Sequence, residues 1–279
     1  MSLRFGYGTN GFANHRLADA LTVIADLGYE GVALTLDHAH LDPLAPDLAR
    51  RTAETAALLS DLGLSVVVET GARYVLDPMR KHEPTLLHAD GAHRRVELLE
   101  RAVDVAADLG AEAVSFWSGN LPAGVTPEDA WKRLVTGCAH AAGYAADRGV
   151  RLGFEPEPGM LVDDLAGYLK LRAEVGSETL GLTLDIGHLR CNEPLPPPAC
   201  VAIGAPYLVN VQIDDMRRGV HEHLELGSGE VDFPAALRAL RECGYQGLVS
   251  VELPRHSHAA PATARQSIDF LRMAEEASR

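Results

Sequence analysis

Three carboxylates stand out because each closes an apolar run: Glu155 after "RLGF", Asp185 after "GLTL", and Glu252 after "LVSV". Charged side chains are almost never fully buried without a partner. If such runs are strands converging on one place, their terminal acids repel one another unless a cation lies between them. Hard oxygen ligands suit Mg²⁺ or Mn²⁺. A fourth donor is available from the run "LVNVQI", where Gln212 is the residue best placed to join them. Taken singly, each acid reads as an ordinary salt-bridge partner at a strand end; the order of the four is what argues for a metal set. Asp185 is followed three residues later by His188, which alone reads as a surface or structural histidine. Trp117 also ends an apolar run, where it suits a stacking floor for a substrate and core packing equally.

The elements that must carry these residues follow from a recurring phrase: a helical stretch, a glycine, then an apolar β-rich run. It occurs as "ADLGYEGVALTLD" (25–37), "SDLGLSVVVETG" (60–71), "ADLGAEAVSFWSG" (107–119), "ADRGVRLGFEPE" (146–157) and "RECGYQGLVSVEL" (241–253). The glycines, from Gly28 to Gly244, fall where a helix hands over to the next segment and φ is often positive. In 96–109, Val96, Leu99, Val103 and Ala106 recur at steps of three and four, the mark of a helix lying on a sheet. In 265–276, Ile268, Leu271 and Glu275 are expected on different sides. Eight strands are predicted, at 4–9, 31–37, 65–70, 113–118, 151–156, 181–186, 207–214 and 247–253. Their Val-, Leu- and Ile-rich runs barely alternate, as in a parallel sheet covered by helices.

Eight βα units in one chain of 279 residues predict a single-domain (β/α)8 TIM barrel over 1–279. An open doubly wound sheet is the alternative. It wants a phosphate-binding GxGxxG turn, and "GYGTNG" at 6–11 lacks that spacing. The Pro-rich "CNEPLPPPAC" (191–200) reads as a loop. A barrel gathers function at the C-terminal ends of its strands, where Glu155, Asp185, Gln212 and Glu252 fall in order on predicted strands five to eight. Glu69, His38, His40, His256 and His258 lie near the same mouth without a spacing that assigns them. Asp214 and Asp215 read as caps of the loop after the seventh strand, and Gly187 as a sharp turn that returns His188 over the opening.

Composition narrows the function classes. The chain is 47% hydrophobic and 23% charged, with a formal charge of −14. No basic run exceeds two residues, which argues against nucleic acid. No apolar run approaches a membrane span, and the N-terminal "MSLRFGYGTN" carries no apolar leader. Four cysteines without a CxxC pair fit a reducing compartment, so a cytoplasmic location is expected.

With these residues in place, the chain resembles the sugar isomerase/epimerase superfamily of xylose-isomerase-like TIM barrels over nearly its whole length. The likeness rests on "RRVELLERAVDVAADLGAEAV", "LGFEPEPG", "LTLDIGH", "VNVQIDD…HLELGSGEVDF" and "LVSVEL". It implies a metal site at Glu155, Asp185, Gln212 and Glu252, with Gln at the third position as in the hydroxypyruvate-isomerase-like branch. It further implies substrate contacts from His188 and from Arg217 or Arg218, the loop length leaving these two open, with His223 of the same loop as a further contact; that loop also carries His221. Family epimerases often have a further Glu several residues beyond the fifth-strand ligand. Here position 161 is Leu and the nearest acid is Glu157, a departure that argues against ketose 3-epimerase activity in particular.

The chemistry expected is enolisation of a sugar or keto-sugar at a Mn²⁺ or Mg²⁺ ion. The cation acts as Lewis acid, and Glu155 and Glu252 remove and return a proton. A lyase that expels a β-hydroxyl from the same enediolate, a carbohydrate-binding barrel without activity and an endonuclease-like relative are the rival readings; the −14 charge argues against the last. The partner is a small carbohydrate, and a homo-oligomer is compatible with everything above.

Overall fold

The computed structural model describes residues 2–279. Each βα unit begins with a short parallel strand, because a run apolar on both faces must be covered on both. The chain opens with β1 (Arg4–Gly8), a single 3-10 turn (Thr9–Phe12) and α1 (Leu17–Asp26). It continues through β2 (Gly31–Thr35), α2 (Leu48–Leu62), β3 (Ser65–Glu69), α3 (Ala92–Leu109), β4 (Val114–Trp117) and α4 (Pro127–Asp147). Then come β5 (Leu152–Glu155), α5 (Leu165–Val175), β6 (Leu180–Asp185), α6 (Ile186–Asn192), α7 (Pro197–Gly204) and β7 (Leu208–Ile213). A two-stranded antiparallel hairpin, β8 (Asp215–Arg217) with β9 (Val220–Leu224), stands outside the barrel. The chain closes with α8 (Phe233–Glu242), β10 (Leu248–Val251) and α9 (Ala260–Ala277).

Eight parallel strands close in the order β1-β10-β7-β6-β5-β4-β3-β2. Every predicted strand is present, its ends differing from the expected ones by at most two residues; β6 begins one residue early, at Leu180. Gly63 and Gly110 end α2 and α3 at φ +65°, where a side chain would be strained. The predicted helix face of α3 packs inward through Leu99, Val103 and Ala106.

Three local expectations are corrected. The Pro-rich stretch is only partly loop: α7 begins at Pro197, because proline at the first helical position gives up no hydrogen bond. Glu275 does not face away from Ile268 and Leu271. All three are buried, and its carboxylate accepts from Leu3 N at 2.8 Å, tying α9 to the first strand. Gly187 makes no sharp turn. It lies within α6, and a Cβ there would overlap Oδ1 of Asp214, so the glycine serves close approach.

The barrel interior beneath the mouth is polar and small. Thr183 Oγ1 donates to Ser115 Oγ at 3.1 Å, and Asn210 Nδ2 donates to Glu69 Oε1 at 3.2 Å. Gly6 lies against Ser250 and Gly153 against Thr183, leaving no room for a side chain at either glycine. This layer of hydrogen bonds is the platform under the acids at the strand ends.

Candidate active site at the barrel mouth

Strand pairing sets the acids in a row. Trp117 pairs with Glu155 across β4 and β5, and Asp185 pairs with Gln212 across β6 and β7. Gln212 in turn pairs with Ser250 on β10, two residues before Glu252. A cavity of about 390 Å³ opens over this row, lined by Glu155, Gln212, Glu252, His188, His223 and Trp117 among others. Asp185 lines a small cleft beside it, shared with His188. Its carboxylate reaches both sides: ligand atoms of Glu155, Asp185 and His188 lie within 4.8 Å of one another, as do those of Asp185, His223 and Glu252.

Helix α6 explains half of Asp185. Its Oδ1 accepts from His188 N at 2.9 Å, capping the helix. Its Oδ2 is buried with no hydrogen-bond partner, and so is Oε1 of Gln212. Glu155, Asp185 and Gln212 are only 4%, 2% and 3% exposed. Among the described residues, no Lys or Arg lies within 4.0 Å of Glu155, Asp185 or Glu252. Two orphaned buried acceptors, set between acids with no counter-charge, are what a hard divalent cation would satisfy.

The electrostatics agree. Burial, and then the charge of Glu252, hold the Glu155 carboxyl well above the usual carboxylate range. Burial pushes Glu252 up to about 7, against the pull of His223, and pushes Glu157 up to about 7 as well. His188 and His221 are pushed down to about 4, chiefly by burial, so both imidazoles are neutral near pH 7. His188 Nδ1 lies 3.4 Å from Glu155 Oε1.

His188 is therefore neither on the surface nor at a turn; it is a buried wall of the site, packed edge-on to His221 at 4.9 Å between ring centres. His223 Nδ1 rests against Asp214 Oδ2. Asp214 is fully buried against α6, whereas Asp215, buried at the start of β8, does the loop-capping expected of the pair. The latter accepts from the backbone N–H groups of Gly227, Gly229 and Val231 at 2.7–3.0 Å.

Arg217 and Arg218 are not brought into the cavity. They sit at the turn of the β8–β9 hairpin, where Arg217 Nη2 donates to Ser228 O at 2.9 Å and Arg218 donates to Glu193 O. A short hairpin holds its turn outward while its strands reach inward, which delivers His221 and His223 instead. His38 and Glu69 line the cavity, whereas His40, His256 and His258 do not.

Sequence reading missed Asn10, which donates to Glu252 Oε1 at 2.9 Å from the 3-10 turn after β1. It lies in "GYGTNG", whose glycines mark crowding: a Cβ on Gly11 would meet Tyr7 at 2.8 Å. His221 and Glu157 also line the cavity. A spacing of two on a strand, "HEH", was the available signal for His221.

Closed parallel strands, with Glu155, Asp185, Gln212 and Glu252 at or just beyond the ends of four successive ones, define a (β/α)8 barrel whose candidate site lies at the usual end. The chain belongs to the xylose isomerase-like TIM barrel family, whose sequence model matches residues 21–274. It is 27% identical over 241 residues to the L-ribulose 3-epimerase of Methylomonas sp. (84% of this chain, 77% of that one). It is 24% identical over 246 residues to an L-ribulose-5-phosphate 3-epimerase of Salmonella heidelberg (87% and 84%). The fold superposes on the 3-keto-D-glucoside 4-epimerase of E. coli with a TM-score of 0.80, at 17% identity, covering 98% of this chain and all of that one. Among the described residues, no helix is long and apolar enough to cross a membrane.

Proposed function

We propose that this chain is a divalent-metal-dependent epimerase or isomerase of a sugar or keto-sugar, working through proton transfer at a carbon beside a carbonyl. The observation that carries the reading is the pair of strand-end acids, Glu155 and Glu252, lining one cavity, with the unpartnered Gln212 Oε1 and, from the adjoining cleft, Asp185 Oδ2 on the two strands between them. Glu155, Asp185, Gln212 and Glu252 would hold the cation, which supplies Lewis-acid polarisation of a carbonyl and charge stabilisation.

The chain's own groups supply the rest. Barrel strands β6 and β7 separate β5 from β10, so Glu155 and Glu252 approach a bound ketone from different sides. One accepts the carbon-bound proton and the other returns one. Return to the opposite face of the same carbon inverts it; return to the neighbouring carbon isomerises. Asn10 fixes the orientation of the Glu252 carboxyl. His188 and His221, both neutral, offer hydrogen bonds to substrate oxygens without adding charge. Trp117, held under His82 at 4.9 Å, forms one wall.

Epimerisation is favoured over isomerisation because the matched relatives are named epimerases. The absence of an acid at Leu161 weighs less once Glu157 is found lining the cavity, since a second strand-five carboxylate is present anyway. Manganese is the metal we would add first, and a cytoplasmic location fits the cysteine usage. Incubation with a panel of ketoses and Mn²⁺, followed by NMR, tests the reading. A new sugar of unchanged mass supports it, and a product lighter by one water would favour the lyase.

A further inference from the structure

The barrel mouth separates charge by depth. Its floor is acidic, while the rim above carries Arg73, Lys81 and Arg255, all lining the same cavity. Arg73 and Lys81 belong to the long connection between β3 and α3, residues 70–91. That connection is pinned rather than loose. The buried Arg95 donates from Nε to Pro84 O at 3.0 Å and from Nη2 to His82 O at 2.7 Å, with its guanidinium 5.0 Å over the Trp117 ring. His82 N donates to Arg73 O, which sets Arg73 beside Lys81.

The other cation of this segment is spoken for. Arg80 pairs with Asp77 at 2.9 Å and with Glu83 at 3.8 Å. Among the described residues, neither Arg73 nor Lys81 has a carboxylate within 4.0 Å. Arg255, which follows β10, is held 3.6 Å from Glu222. The two arginines expected from the sequence to meet substrate lie outside the cavity, so these three are its cationic groups. A neutral polyol is satisfied by hydroxyl, amide and carboxylate partners; unpaired Lys and Arg on a fixed segment suit an anion.

From this we infer that the substrate is an anionic sugar derivative, with its reacting carbons at the acidic floor and a phosphate or carboxylate group at the rim between Arg73, Lys81 and Arg255. The inference rests on the proposed function for the position of the reacting end.

Binding of unreactive analogues tests it apart from turnover. Affinities of the metal-loaded protein for a neutral pentitol, its 5-phosphate ester and the matching aldonate are measured by calorimetry, in the native chain and in Arg73→Ala/Lys81→Ala. The expected result is that at least one anionic analogue binds about 30-fold or more tighter than the pentitol, in line with the strength of charge-assisted hydrogen bonds. That advantage should shrink at least tenfold in the double variant. The preferred anion identifies whether phosphate or carboxylate is read. Equal binding of all three, no binding of any, or an anion preference that survives the double substitution would overturn the inference. So would a double variant that changes only Mn²⁺ affinity, since Lys81 would then be a counter-ion for Glu157. Proton exchange from a panel of neutral, phosphorylated and carboxylated keto-sugars, measured separately, decides the proposed function whichever way binding falls.

Discussion

Gly187 and Asp214 are so close that a Cβ on the glycine would overlap the Asp214 carboxylate. Asp214 has no exposure, and its other oxygen meets His223 Nδ1. A glycine in a short helix thus lets an acid buttress a histidine of the site. Gly187→Ala must push Asp214 aside, and overpacking of this kind costs about 1–3 kcal/mol. Denaturant unfolding of the metal-free chain should register that loss. Substrate affinity should fall with it, because His223, which lines the cavity, loses its support.

Asp185 has two jobs that substitution separates. Asp185→Asn keeps a side-chain oxygen to cap α6, whereas Asp185→Ala removes the cap at a cost of about 1 kcal/mol. If Asp185 is also a ligand, both variants lose most of the thermal stabilisation by Mn²⁺, while only the alanine is less stable without metal. Scanning calorimetry with and without Mn²⁺ separates the two effects.

Protons and metal compete for the floor. Glu252 and Glu157 titrate at about 7, and Glu155 above the usual range, so near pH 6.5 these acids hold protons that a bound cation must expel. Mn²⁺ binding should weaken from pH 8 to pH 6. At pH 6.5 it should release about one proton or more, read as a heat that varies with buffer ionisation enthalpy.

The same raised value fixes a sign for stability without metal. Glu252 is raised from 4.5 to about 7 on folding, so the folded state binds its proton more tightly. That contribution is fully present below about pH 4.5 and is lost as pH rises through about 7. The depressed His188 and His221 act oppositely over about pH 4 to 6.5, so the comparison must be with Glu252→Gln, which shares them. The native chain's stability relative to that variant should decline between pH 5 and pH 8 when followed by urea unfolding.

The strands were readable because their apolar runs are continuous and bounded by glycine. Asp185 and Glu155 were readable because a charge at the end of such a run has no apolar explanation. Asn10 was not, since its role depends on a 3-10 turn folding β1 back towards β10, a contact between residues 242 apart in sequence. Arg217 and His223 look alike on paper, both lying in one loop. Only the pairing of β8 with β9 decides that the histidine reaches in and the arginine reaches out. Arg73 and Lys81 had no periodic signal at all; Arg95, on α3, fixes their segment.

The central claim is that Glu155 and Glu252 exchange a carbon-bound proton of the substrate. Turnover in D₂O with Mn²⁺, on the ketose or ketose phosphate that the chain converts, tests it most directly by mass spectrometry and NMR. The account predicts deuterium at the carbon beside the carbonyl with no other change in composition. It also predicts that Glu155→Gln and Glu252→Gln, folded by circular dichroism, each slow exchange by about 10²–10⁴-fold. Full exchange in either variant, or product formed without deuterium, would contradict it.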